Sequence, residues 1–481
     1  MILHQGIVSI VFAVLLRLAL CYFVLRDKNV QETAMAWVLL MFFLPVVGFI
    51  LYVIFGKDYR TAKDRDFVHR EFRRRMSEEI PPERFSKLFP NDIPEGMDDW
   101  LKPLVRLNLS TWEGNKVYGG NKLEIIKEGA HKKELLSEDL LSARHSIHLE
   151  YFRFGNDSSG RYIRDILIKK ATEGVEVRFL LNNLVARTIP GSFWKPMEDA
   201  GVKIVRYTSL KQGLRLFLMR LNCQQHRKIV VIDGKVGYMG GMNINDNYFS
   251  HWKDTHVRIE GPAVSCLQAS FLDTWISCKG EVENPLSEYF SPAPPCEGGL
   301  NVQIVSDESD YPWPSTQMAY EWVLDNARDY VYFQTPYFVP PVSFLTSLKA
   351  AALRGVDVRV MLSKKVDTPL LGSFNRSYYA ECLEAGVKII EAGGEFDHSK
   401  TMVSDNSVCV IGATNLDVRS FSINSEINAF IYDRETAADF RKDFISRMDG
   451  AREWTLELWL RSRPFWNDLK SRFVRLFYRE F

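Results

Sequence analysis

The chain has 481 residues, 46% hydrophobic and 13% aromatic, enough core material for two domains or one large duplicated domain. Its 61 Lys and Arg against 60 Asp and Glu leave a formal net charge of +1, which excludes the protein-wide basic excess of a dedicated nucleic-acid binder. Seven scattered cysteines with no Cys-x-x-Cys pair fit neither a disulfide framework nor a zinc site, and imply reduced thiols in a cytosol-facing region.

Residues 6–25 form an apolar run about long enough to span a bilayer, interrupted only by Arg17, which is expected to snorkel or to face a second helix. Residues 34–56 contain no charge, with Trp37 and Tyr52 where interfacial aromatics sit and Pro45 and Gly48 as kink points. Residues 1–57 are therefore expected to be a transmembrane helical hairpin. Residues 57–75 then carry eight basic side chains against four acidic ones, which places the rest of the chain on the cytoplasmic side. The same run either binds anionic lipid or serves only as a topology signal.

Residues 58–130 read as a basic juxtamembrane linker and a polar preamble without chemistry. From Ser146 strands alternate with helices: 147–152 and 174–181 as strands around a helix at 160–173, then 200–205. The order repeats at 331–338, 354–362 and 385–390, which predicts βαβ units and a largely parallel sheet in each of two halves, 131–280 and 301–447. A Pro-rich linker at 281–300 joins them. The first half carries 13 extra residues around Lys211–Arg220, either a lipid entrance or a covering loop. In the tail, 448–481, Trp466, Leu469, Phe473, Leu476 and Phe477 share one helical face, suited to a membrane surface or to docking on the protein itself.

The strongest signal is a repeat. His226-x-Lys228-x4-Asp233, with Gly240-x-x-Asn243 and then Asp254, returns 172 positions later as His398, Lys400, Asp405, Gly412, Asn415 and Glu426. On a strand, positions i and i+2 share a face, so each copy presents an imidazole beside an ammonium. Two such sets suit a phosphodiester. One histidine attacks phosphorus and the other protonates the leaving oxygen. Lys228, Lys400, Asn243 and Asn415 hold the non-bridging oxygens, and Asp254 and Glu426 orient the imidazoles, with pairing across the pseudo-dyad as one arrangement. Asp233 and Asp405 complete the motif set and are expected to support its turn. The scheme needs no metal and no cofactor.

The two His-x-Lys-x4-Asp motifs resemble those of the phospholipase D superfamily. With Pro45–Tyr52, Trp252-Lys253-Asp254, Glu260–Val264, Thr335-Pro336-Tyr337-Phe338 and Thr414–Phe421, nearly the whole chain is similar to bacterial cardiolipin synthases. The resemblance implies two phospholipase D-type α/β/α halves forming one pseudo-two-fold catalytic unit behind the hairpin. It further implies an inner-membrane, multi-pass enzyme acting on lipid in the bilayer rather than nucleic acid. A phosphatidyl group would pass from one phosphatidylglycerol to another through a phosphohistidine, giving cardiolipin and glycerol, with His226 as nucleophile and His398 as acid and then base. Hydrolysis by a membrane-bound phospholipase D shares the first half-reaction, and a non-enzymatic scaffold is the remaining alternative. Cys223-Gln224-Gln225, Asn182-Asn183 and Ser425 depart from the family pattern.

Overall fold

The computed structural model describes residues 2–27, 31–56, 62–182, 188–462 and Arg475. Lys57 and Arg60 of the basic run, Asn183, and the amphipathic tail after Ser462 other than Arg475 lie outside the described residues.

The N-terminal segment is a helical hairpin. Ile2–Asp27 is one helix, and Arg17 turns toward its partner, donating from Nε to Phe42 O at 3.0 Å. The second apolar segment is divided into Gln31–Phe43, Pro45–Leu51 and a π-turn at Tyr52–Gly56. Proline offers no N–H and pushes the residue before it out of helical geometry; Leu44 accordingly sits at φ −129°, ψ 67°. Among the described residues, no helix is long and apolar enough to cross a membrane. The sequence expectation of two spanning helices is thus replaced, for these residues, by a hairpin whose second arm is segmented.

The first half contributes β1 (Val117–Ile126), β2 (Ser146–Tyr151), β3 (Glu176–Leu181), β4 (Lys203–Arg206), β5 (Lys228–Ile232), β6 (Val236–Gly240) and β7 (His256–Glu260). The second contributes β8 (Leu300–Asp307), β9 (Tyr330–Gln334), β10 (Phe338–Val339), β11 (Asp357–Ser363), β12 (Lys388–Ala392), β13 (Thr401–Ser404), β14 (Val408–Gly412), β15 (Leu416–Asp417), β16 (Glu426–Tyr432) and β17 (Arg452–Trp454). The orders β1-β7-β6-β5-β2-β3-β4 and β8-β16-β14-β13-β9-β11-β12 are counterparts, joined where β1 pairs with β8.

The expectation of a largely parallel sheet is corrected. In the large sheet only β2, β3 and β4, and β9, β11 and β12, run parallel, and the remaining pairings are antiparallel; β10 and β15 form a separate two-stranded parallel pair. The motif strands β5 and β13 return through tight hairpins, three residues between the paired ends, with β-turns closed by Lys235 N to Ile232 O and Ser407 N to Ser404 O, leaving no chain for a crossover helix. Both central residues of each turn have positive φ, Asp233 (52°) with Gly234 (66°) and Asp405 (49°) with Asn406 (47°), as a hairpin turn matched to strand twist requires. The stretch read as preamble supplies β1 in the middle of the sheet. The tail begins with β17, which pairs with the edge of β12.

Side-chain alternation on the motif strands sorts the core. Val230 and Ile232 pack outward with the helices of the first half, while Ile229 and Val231 face inward against Val403, Cys409, Ile411, Ile427 and Ala429 of the second. The halves therefore share one apolar layer, which fixes the two motifs relative to each other. The helix Ala62–Glu79 is clamped to both. Its buried His69 donates from Nδ1 to Asp273 at 2.9 Å and from Nε2 to Asp310 at 3.1 Å, and the two carboxylates hold the imidazole up at about 10 against the cost of burial.

Candidate active site

The two histidines sit just before β5 and β13, where each is fixed by the opposite half. His226 N donates to Ser425 O at 3.0 Å, and His398 N to Lys253 O at 2.7 Å, positions again 172 apart. The side chains repeat the exchange. His226 Nδ1 is 3.0 Å from both oxygens of Glu426, and His398 Nδ1 is 2.8 Å from Asp254 Oδ2. A carboxylate at Nδ1 favours the tautomer that leaves Nε2 as the reactive nitrogen.

All four of these groups are buried, as are Lys228 and Lys400. Each lysine donates back to the carbonyl of its own motif histidine, and Lys400 Nζ also lies 2.7 Å from His398 Nδ1. Burial pulls Lys228 down to about 7 and Lys400 to about 8. It pushes Asp254 up to about 6 and Glu426 to about 8. Burial, reinforced by the lysine charges, also takes both imidazoles well below their ordinary value. These shifts share one cause, the loss of water around charged groups, and a bound phosphate anion would restore the lysine charges.

Gly241 makes the Asp254 approach possible: a Cβ there would lie 2.1 Å from Asp254 Oδ1. The corresponding position in the second half is Ala413, where the longer Glu426 reaches His226. Asn243 and Asn415 are buried beside the site. Asn243 Oδ1 accepts from Arg153 N at 3.0 Å, whereas Asn415 Oδ1 has no hydrogen-bond partner and faces no competitor for a ligand donor.

Asp233 and Asp405, members of the motif set, lie outside this constellation. Each accepts three backbone N–H bonds at the start of the neighbouring strand: Asp233 from Arg144, His145 and Ser146, Asp405 from Arg328, Asp329 and Tyr330, all at 2.7–3.0 Å. Asp233 lies seven extended steps beyond His226, about 23 Å of strand.

Several site residues carry no repeat signal and were missed for that reason. The Tyr248 hydroxyl lies 3.2 Å from His398 Nδ1, and Phe152 packs edge-on against His226. Arg227, between the motif His and Lys, is fully enclosed: its guanidinium donates to Glu426 O, Asp307 O and Thr274 Oγ1 and pairs with Glu308 at 2.8 Å. Its counterpart Ser399 bonds Thr255 at 3.1 Å. The unusual Ser425 crosses the junction between halves, its N donating to Gln224 O at 2.9 Å and its hydroxyl lying 3.2 Å from that of Tyr207, while Asn182 holds Gln224 and Gln225 from within the first half. Among the described residues, no group of His, Cys, Asp and Glu is arranged to hold a metal ion.

Comparison with known proteins places this geometry. The family model described as "Cardiolipin synthase, PLD-like domain" matches residues 136–275 and 321–448, and "Phospholipase_D-nuclease N-terminal" matches 9–57. The chain is 33% identical over 470 residues to the major cardiolipin synthase of Bacillus subtilis, covering 94% of each chain. It is 34% identical over 475 residues to cardiolipin synthase 2 of Staphylococcus epidermidis, covering 95% of each. A phosphatidylserine synthase from Haemophilus influenzae has the same fold, with a TM-score of 0.59 at 14% identity over 79% of this chain and 100% of its own.

Proposed function

The chain belongs to the phospholipase D-like cardiolipin synthase family, a phosphatidyltransferase family, and from that premise we propose how this site divides the work. His226 Nε2 attacks the phosphorus of one phosphatidylglycerol, forming a phosphohistidine, while His398, taken up as the imidazolium once the phosphate anion is bound and Asp254 accepts from its Nδ1, gives its Nε2 proton to the departing glycerol oxygen. His398 then takes the proton from a hydroxyl of the second phosphatidylglycerol as that oxygen displaces His226, yielding cardiolipin. Lys228 and Lys400, with Asn243 and Asn415, neutralise and hold the non-bridging oxygens. Glu426 stabilises the His226 imidazolium as the adduct forms, and Asp254 does the same for His398.

The observation that carries this reading is the reciprocal pairing of each histidine with the other half's carboxylate beside a buried lysine. Neither half holds a complete set. The N-terminal hairpin supports placement at a bacterial inner membrane with the catalytic halves on the cytosolic side. Its helices leave Phe12, Leu15, Phe43 and Val46 at 59–70% exposure, too much apolar surface to face water in a monomer. The extra residues of the first half form a helix, Leu214–Arg220, that packs against Tyr52–Gly56, and Arg215 stacks over Phe67 at 4.3 Å. This supports an entrance for lipid between the hairpin and the site.

The test uses full-length protein with labelled phosphatidylglycerol in vesicles. Wild type should make cardiolipin and glycerol; His226→Ala should form no covalent phosphatidyl adduct, and His398→Ala should turn over no substrate. Phosphatidic acid without cardiolipin would replace transfer by hydrolysis, and activity in both variants would remove the histidines from the chemistry.

A further inference from the structure

The pseudo-dyad that matches the two motifs fails at the mouth of the site. Phe154 bridges Ile244 in the first half, and Phe338 pairs with Leu416 in the second, with Ile244 and Leu416 again 172 positions apart. The residues immediately before these phenylalanines, Arg153 and Tyr337, therefore occupy equivalent places. Tyr337 is committed: its hydroxyl donates to Asp367 Oδ1 at 2.5 Å. Arg153 is exposed, and its guanidinium makes no hydrogen bond or ion pair among the described residues. One lip thus presents an uncommitted cation and the other a tyrosine bound to a carboxylate.

The backbone aims the cation. Arg153 N donates to Asn243 Oδ1 at 3.0 Å, and Arg153 O accepts from Ile244 N at 3.4 Å, so the residue is tied at both ends to the Gly-x-x-Asn segment. Its preceding neighbour, Phe152, packs on His226. The charge bears on His398, Tyr248 and Lys228 together.

Resting on the synthase reading above, we propose that Arg153 is the subsite for the phosphodiester of the acceptor lipid, the one that is not cleaved. In the second step the acceptor oxygen–phosphorus bond forms, the His226 Nε2–phosphorus bond breaks, and the hydroxyl proton passes to His398 Nε2. Lys228 and Lys400 are occupied throughout by the transferred phosphoryl group. The acceptor brings a second anion only a glycerol unit from the reacting hydroxyl, and that anion needs a cation of its own. A guanidinium accepts a phosphate through two parallel hydrogen bonds, whereas Asp367 on the other lip repels it. Arg153 therefore favours an anionic acceptor over a neutral alcohol or water.

The experiment is a competition. Full-length enzyme in phosphatidylglycerol vesicles is given 1-butanol, and cardiolipin and phosphatidylbutanol are measured together for wild type, Arg153→Gln and Arg153→Lys. The ratio of cardiolipin to phosphatidylbutanol should fall about tenfold in Arg153→Gln, the scale of one lost charge-assisted contact, and recover in Arg153→Lys. A ratio that stays at the wild-type value overturns the proposal, including the case in which both products fall together from damage to the fold. Wild type making phosphatidylbutanol but no cardiolipin would instead refute the synthase reading.

Discussion

Replacing Glu426 by Gln keeps the shape of the site and removes the acid that, held up to about 8 in the empty site, becomes a carboxylate as positive charge develops on His226. Both Glu426 oxygens lie 3.0 Å from His226 Nδ1. At that separation a carboxylate and an imidazolium attract by about 5 kcal/mol at an effective dielectric constant of about 20. Lys228 and Lys400, which also act on Glu426, take back part of this. With each 1.36 kcal/mol worth a factor of ten, formation of the His226 adduct should slow by about three decades. Rapid-quench measurement of the covalent phosphatidyl-enzyme with labelled phosphatidylglycerol reads that step directly. Asp254→Asn is the paired variant: it touches His398 and should leave adduct formation faster than turnover. If Asp254→Asn abolishes the adduct while Glu426→Gln retains it within about tenfold, the two histidines exchange roles. If both variants form it at the wild-type rate, carboxylate support of the histidines is wrong.

Lys228 and Lys400 are cations only below about 7 and 8 in the empty site, so kcat/KM for phosphatidylglycerol should fall as pH rises through that range; a profile flat to about pH 9 would contradict this. His69, held at about 10 when folded and near 6.5 when unfolded, contributes stability that is complete below 6.5 and disappears as pH rises through 10. His69→Gln, which leaves two buried carboxylates without their cation, should cost about 3–5 kcal/mol at pH 6; a thermal-midpoint gap to wild type that does not shrink toward pH 10 would deny the ion pairing. Asp233→Ala and Asp405→Ala each remove the acceptor of three backbone N–H bonds and should destabilise by about 2–4 kcal/mol, with KM unchanged in the folded fraction. Loss of activity without loss of stability would restore them to the chemistry.

The repeat alone picked out the residues proposed to react. Only a duplicated fold keeps His, Lys, Asn and an acid in step over 172 positions, because each must leave its strand at the same point of the same unit. The buried character of β5 and β13 was equally legible, since unbroken apolar runs after each Lys leave no face for water. Strand direction was not: periodicity records which residues are buried, not whether a strand's neighbour runs with it or against it, so the hairpin return of β5 and β13 went unseen. Asp233 and Asp405 were expected to support the motif's turn, but sequence could not name their partners, because the three N–H groups that each accepts from belong to a neighbouring strand distant along the chain. Which carboxylate serves which histidine was decided only by packing. The shared apolar layer sets the halves face to face, and from there Glu426 meets His226 and Asp254 meets His398, contacts made between residues 200 and 144 positions apart.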